Sequence, residues 1–170
     1  MAVELFHKTY LNSDSNQYLI ILHGVFGSLD NWHTLAKQLA QGINVISVDL
    51  RNHGKSPHNS EMSYMAMAED VNHLLETRDI ASAIILGHSM GGKVAMSLAD
   101  LHPDKIEKLI VVDIAPKAYK PGHTAYFKAF RELDFSSFKS RSEADAALLK
   151  YESNLGVRQF LLKNLERSED

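Results

Sequence analysis

The segment Gly87-His88-Ser89-Met90-Gly91 sits directly behind the apolar run Ala83-Ile84-Ile85-Leu86 and directly ahead of the helix-like stretch Gly92 to Ala99. A strand that turns straight into a helix through Gly-x-Ser-x-Gly holds its serine in a strained backbone, with the hydroxyl pushed out above the sheet. The turn is so tight that side chains two residues before and after the serine would strike neighbouring backbone, which is why glycine stands at both places. The helix that follows aims its positive end at the hydroxyl. This arrangement predicts Ser89 as a nucleophile rather than a plain surface serine at a strand end.

The rest of the chain supplies the sheet such a turn needs. Residues 1–11 read as one strand, or as a hairpin with the segment after the polar turn Asn12 to Asn16. Tyr18-Leu19-Ile20-Ile21-Leu22 reads as a strand buried on both faces, Asn44 to Leu50 as the next strand, and Ile106 to Ile114 as another buried strand. Between them, Ser28 or Asp30 can cap a helix carrying Trp32, Leu35, Ala36, Leu39 and Ala40, which Gly42 closes. Ser63 can cap another with Met67, Val71, Leu74 and Leu75 on one face, and His102-Pro103 stops the helix after the serine. Strands alternating with helices predict an α/β fold with a mostly parallel, doubly wound sheet. After Pro116 the character changes: 124–133, 140–151 and 157–165 read as three helices with no strand between them. Residues 1–116 are expected to form the sheet core and 117–170 a helical lid, or else an ordinary helical subdomain, dense in Tyr126, Phe127, Phe130, Leu133, Phe135 and Phe138.

Composition removes several functions. The 170 residues carry a formal net charge of −3 and no basic run, which gives no support for a nucleic-acid partner. With no cysteine, thiolate catalysis, disulfides and cysteine-ligated metals are excluded. No histidine or carboxylate cluster has metal-ligand spacing, and no cofactor or metal is expected. The start of the chain lacks a signal-peptide pattern, and apolar runs of four or five residues fall short of a membrane span. A cytoplasmic protein is the resulting expectation.

Other residues can complete a site around Ser89. The Met90 N–H, at the helix start, can donate to an oxyanion, and a second donor should come from His23-Gly24-Val25-Phe26-Gly27, with Val25 preferred to Phe26. Asp113, at the end of Leu109-Ile110-Val111-Val112, can orient a histidine at the sheet's top edge, or it is a turn aspartate. Asp49 precedes the serine, the wrong order for the acid of such a site, so Asp49 to Ser56 reads as a structural loop with Arg51 and His53 tied into local hydrogen bonds. Of the nine histidines only His102 and His123 follow the serine turn. His102 reads as structural, and His123 is a poor general base. Phe26, His88, Tyr119 and Phe127 are candidates for lining a substrate site.

Together, His23-Gly24, Asp49-Leu50-Arg51-Asn52-His53-Gly54-Lys55-Ser56-Pro57, Gly87-His88-Ser89-Met90-Gly91-Gly92 and Val112-Asp113-Ile114-Ala115-Pro116 resemble the α/β-hydrolase esterases of the YbfF branch. Asn52, where most of the superfamily has glycine, and an aspartate at position 113 sharpen that match. The resemblance implies a serine carboxylesterase acting on short or medium acyl esters or on acyl-thioesters such as acyl-CoA. It makes Ser89 the nucleophile, Asp113 the acid, and the backbones of Val25 and Met90 the oxyanion hole. Such esterases continue past the lid into further strands and helices that carry the catalytic histidine. The chain is therefore expected to be an amino-terminal portion that is inactive alone, and either self-associates or needs the missing segment. The alternatives are a non-catalytic ligand-binding or scaffold protein on the same fold, and another activity of the fold, a C–C hydrolase or a haloperoxidase-like enzyme.

Overall fold

The structure, a computed structural model, describes residues 1–120 and 122–165. The chain divides into two units, Met1–Pro116 and a second beginning at Lys117.

The first unit is built on a five-stranded sheet: β1 (His7–Tyr10), β2 (Tyr18–Leu22), β3 (Asn44–Val48), β4 (Ala83–His88) and β5 (Ile106–Val112). The spatial order is β1-β3-β2-β4-β5. β2 runs parallel to β3 and β4, and β4 parallel to β5. β1 does not form the hairpin considered above. It lies antiparallel to β3, with His7 opposite Val48 and Tyr10 opposite Val45. The polar turn is instead anchored to β3 by Asn44, whose amide oxygen accepts from the Asn12 N–H and whose amide nitrogen donates to the Ser15 carbonyl.

β2 shows how the sheet is wound on both sides. Leu19 and Ile21 face α1 (His33–Leu39) in a cluster with Ala36 and Val45. Ile20 and Leu22 face the opposite cluster, which includes Met67, Val71, Leu74 and Leu75 of α2 (Tyr64–Thr77) and Val94, Ala95 and Leu98 of α3 (Met90–Leu101). Every second residue goes to one side, so a continuous apolar run fills two cores at once. Helix entry follows the side chains: Ser63 Oγ accepts from the Ala66 N–H, and Ser28 precedes a 3-10 turn, Leu29–Trp32, that leads into α1. Asp30 lies inside that turn rather than capping a helix.

Two expectations for β5 are corrected. It ends at Val112 rather than Ile114, because Asp113 leaves extended geometry at φ 57°. Nor is it buried: Leu109 and Ile110 are 39% and 42% exposed. Among the described residues β5 has β4 alone as a strand neighbour, so its apolar side chains lack the second flank that buries a central strand.

The loop after β3 is a hydrogen-bonded structure. Asp49 takes the Leu29 N–H on one carboxylate oxygen and the Lys55 N–H on the other. A side chain at Gly54, φ +52°, would run into that carboxylate. Arg51 is fully buried and forms a fork with both oxygens of Asp70, at 2.6 and 2.7 Å, while donating to the Glu61 and Ala66 carbonyls. Asn52, at φ 64°, exchanges two hydrogen bonds with the Asn59 backbone. Asparagine tolerates this left-handed conformation better than most residues.

The second unit holds α4 (Thr124–Glu132), α5 (Arg141–Leu148) and α6 (Leu155–Leu161). Ser140 and Asn154 cap α5 and α6 by accepting from the Glu143 and Val157 N–H groups. Ala129, Ala144, Leu148 and Leu162 form this unit's own core, flanked by Leu133, Phe135 and Phe138. Arg158 ties α6 to Asp145 at 3.1 and 3.2 Å.

Candidate active site

The sheet order reverses between β2 and β4, so the chain departs to opposite sides beyond their carboxyl ends and leaves a crevice there. Leu22 pairs with Gly87, which sets His23 beside His88 at that edge. Ser89 follows at φ 51°, ψ −115°, a conformation that an L residue holds only under constraint. The constraint is visible in the glycines. A Cβ on Gly87 would strike the Gly91 carbonyl, and one on Gly91 would lie 2.6 Å from the His23 carbonyl oxygen. Gly92 has the same difficulty against Ile114 at 2.5 Å. The Ser89 N–H donates to the Val112 carbonyl at 2.9 Å, while its own carbonyl accepts from Gly92 and Lys93 in the first turn of α3. Ser89 remains partly exposed. Met90 is the first residue of α3, so its N–H has no partner within the helix and adds to the positive end there.

His88 pairs with Val112, so Asp113 lies one step past the end of the adjacent strand, level with Ser89. Its carboxylate is 85% exposed and stands 3.9 Å from His88 Nε2, too long for a hydrogen bond. His88 also meets the Trp32 ring edge-on, with centroids 6.2 Å apart. The two later histidines are elsewhere: His102 Nε2 pairs with Glu69 at 3.1 Å, and His123 precedes α4 against the Tyr126 ring. Of the remaining candidates, Val25 packs partly buried against the core, and Phe26 has φ 59°. Tyr119 and Phe127, 52% and 49% exposed, belong to the second unit.

Sequence reasoning missed His23 itself. It is buried, its Nδ1 bonds to the Gly24 carbonyl at 2.8 Å, and its Nε2 accepts from the Leu50 N–H at 3.0 Å. Burial holds the imidazole down at about 4, against a partial pull upward from the Gly24 carbonyl bond. It is therefore neutral at pH 7, with the proton on Nδ1. The one available sequence signal was a histidine ending an apolar run, where a solvated side chain is out of place. Among the described residues no group of histidine and carboxylate side chains could hold a metal ion, and no helix is long and apolar enough to cross a membrane.

A mostly parallel, doubly wound sheet that presents one strained serine on a strand-to-helix elbow defines a class of α/β proteins. The chain belongs to the α/β hydrolase fold family, whose profile it matches over residues 17–158. It is 40% identical over 170 residues to esterase YbfF of Escherichia coli, covering 99% of this chain and 67% of that one. It is 42% identical to a zebrafish (Danio rerio) protein named sn-1-specific diacylglycerol lipase ABHD11, covering 96% of this chain and 54% of that one. Among solved structures, a marine microorganism esterase superimposes with a TM-score of 0.93 at 44% identity, covering 99% of this chain and 66% of that one. The chain thus spans between about half and two thirds of these relatives' lengths.

Proposed function

We propose that this chain carries the nucleophile, the acid and the oxyanion donors of a serine esterase. Ser89 Oγ attacks the acyl carbonyl, and the alkoxide that develops on the carbonyl oxygen is held by the N–H groups of Met90 and Val25. The alcohol or thiol leaves, and water then hydrolyses the acyl-enzyme. Asp113 fixes the tautomer of the histidine that takes the Ser89 proton and stabilises the resulting imidazolium. We assign that histidine to the part of the relatives' length that this chain does not span. Short or medium acyl esters and acyl-thioesters are the proposed substrates, with Phe26 and His88 beside the reacting carbonyl.

The observation that carries this reading is the backbone of Ser89. A φ of 51° outside glycine costs on the order of 1–3 kcal/mol, and the glycines at 24, 87, 91 and 92, in loop, strand and helix, leave the room that this turn requires. The test is labelling of the natural protein carrying this chain with a fluorophosphonate probe, with hydrolysis of p-nitrophenyl butyrate followed in parallel. Labelling of Ser89 and loss of both signals in Ser89→Ala are expected. Asp113→Asn should retain the fold and lower kcat by about 10⁴, as tautomer loss does in related chemistry. Turnover that survives Ser89→Ala would defeat the reading. A folded protein that never labels would favour a non-catalytic binding role.

A further inference from the structure

We propose that His23 is a positioning residue whose imidazole, clamped between the Leu50 N–H and the Gly24 carbonyl, aims the Val25 N–H at the oxyanion formed on attack by Ser89. The inference rests on the esterase reading above and adds to it the device that builds the second oxyanion donor.

The argument begins with the Gly24 carbonyl. It accepts from His23 Nδ1 at 2.8 Å and from the Gly27 N–H at 3.0 Å. The second bond closes a four-residue turn whose third residue, Phe26, is left-handed at φ 59°. Left-handed geometry at that position is the mark of a type II turn. Among the described residues no peptide bond is cis, so the Val25 N–H points opposite to the Gly24 C=O across the same planar unit. Two donors that hold the carbonyl on the inside of the turn therefore hold the Val25 N–H on the outside. Gly24 itself presses on the elbow: a Cβ there would lie 3.3 Å from Ser89 Cβ and 3.0 Å from His88 Nδ1. The peptide that carries Val25 is thus next to the nucleophile and rotationally fixed.

The other half of the clamp comes from a different strand end. Leu50 follows β3, and its N–H donates to His23 Nε2 at 3.0 Å. One neutral imidazole, a donor at Nδ1 and an acceptor at Nε2, therefore couples the loop after β3 to the loop after β2. Its burial, with His53 5.0 Å away ring to ring, favours the neutral form this exchange requires. Protonation would turn Nε2 into a donor facing another donor.

Two isosteric substitutions separate the halves. His23→Asn places an amide N–H where Nδ1 stands and keeps the bond to the Gly24 carbonyl. His23→Gln places an amide oxygen near Nε2 and keeps only the bond from Leu50. In the natural protein carrying this chain, with p-nitrophenyl butyrate as probe, His23→Gln should lower kcat by about 10- to 100-fold at unchanged KM, short of the loss on removing a donor outright. His23→Asn should recover most of that loss. Equal losses in the two variants, or losses confined to KM, would overturn the proposal. Nitrogen NMR of the wild-type imidazole provides a second readout that needs no variant: a neutral Nδ1–H tautomer persisting at pH 6 is expected, and an Nε2–H tautomer or imidazolium overturns the clamp. If Ser89→Ala leaves wild-type turnover intact, the esterase reading fails and this role fails with it. If Ser89→Ala abolishes turnover and the two His23 variants match, the positioning role alone fails.

Discussion

At the scale of single residues, each of the four parallel strands is followed by a non-glycine residue in left-handed backbone: Phe26 after β2, Asn52 after β3, Ser89 after β4 and Asp113 after β5. Strain of this kind persists only where surroundings over-determine it. The glycines around Ser89 provide that over-determination, and Gly91→Ala should place a methyl against the Leu22 and His23 carbonyls. Backbone cannot yield as a side-chain tip can, so a loss of about 3 kcal/mol or more is expected, or no soluble protein at all, read by urea denaturation. His23 gives a pH dependence whose sign follows from its neutral state. Its folded pKa of about 4 lies below the ordinary 6.5, so the unfolded chain binds the proton first as pH falls. Stability should be complete above pH 6.5 and decline towards pH 4, by about 3 kcal/mol from this group. His53, also pushed down by burial, acts in the same direction. Denaturation midpoints between pH 4 and 7 should fall less steeply in His23→Gln, and equal slopes would refute the assignment. Of these residues only the Ser89 elbow announced its strained backbone in the sequence, through its flanking glycines, while Asn52 stood out only as a residue where most of the superfamily has glycine. Phe26, Asp113 and the imidazole clamp depend on contacts between loops that are distant along the chain.

At the scale of elements, strands and helices were legible because the apolar periods were long and a cap was explicit at Ser63, whereas the Asn154 cap passed unread and the last helix begins at Leu155 rather than at residue 157. Pairing was not legible. A short strand such as β1 has no local signal for choosing β3 over β2, since that choice depends on the sheet order, in which β2 is flanked by β3 and β4 and β3 alone has a side left for β1. Burial of β5 misled for a similar reason: hydropathy reports an apolar run, whereas exposure depends on the strand's rank in the sheet. The ion pair between Arg51 and Asp70 joins the loop after β3 to α2, and both side chains are almost wholly enclosed. Asp70 also accepts from the Val3 N–H at 2.7 Å, so one carboxylate gathers three segments. Removing one member leaves the other charged and buried, at a cost of about 3–5 kcal/mol. Arg51→Met should therefore destabilise strongly in thermal denaturation, whereas the exposed i,i+4 pair Lys128–Glu132 should be nearly silent when broken. Similar small shifts in the two variants would show that the buried fork is not a structural tie.

At the scale of the whole molecule, the sheet has two edge strands of unequal length among the described residues, β1 and β5. β1 is short, four residues, and antiparallel, which limits what can pair with it. β5 is seven residues long, and Leu109, Ile110 and Val112 are each more than a third exposed. Among the described residues, the backbone donors and acceptors on its outer side face no further strand. Unpaired peptide groups beside exposed aliphatic side chains form a template on which another chain can add a strand, and a charge placed at the centre of such an edge makes that addition costly. The 170-residue chain is accordingly expected to self-associate, with a sedimentation coefficient that rises with concentration. Ile110→Lys leaves the β4–β5 hydrogen bonds in place and puts an ammonium group in the middle of the open edge. That variant should sediment as a monomer over the same concentration range, with an unchanged far-ultraviolet circular dichroism spectrum. Lys163→Glu, in the second unit, should leave association as it was. A wild-type chain that stays monomeric at high concentration, or an Ile110→Lys variant that associates as strongly, would show that the β5 edge does not govern how these molecules meet.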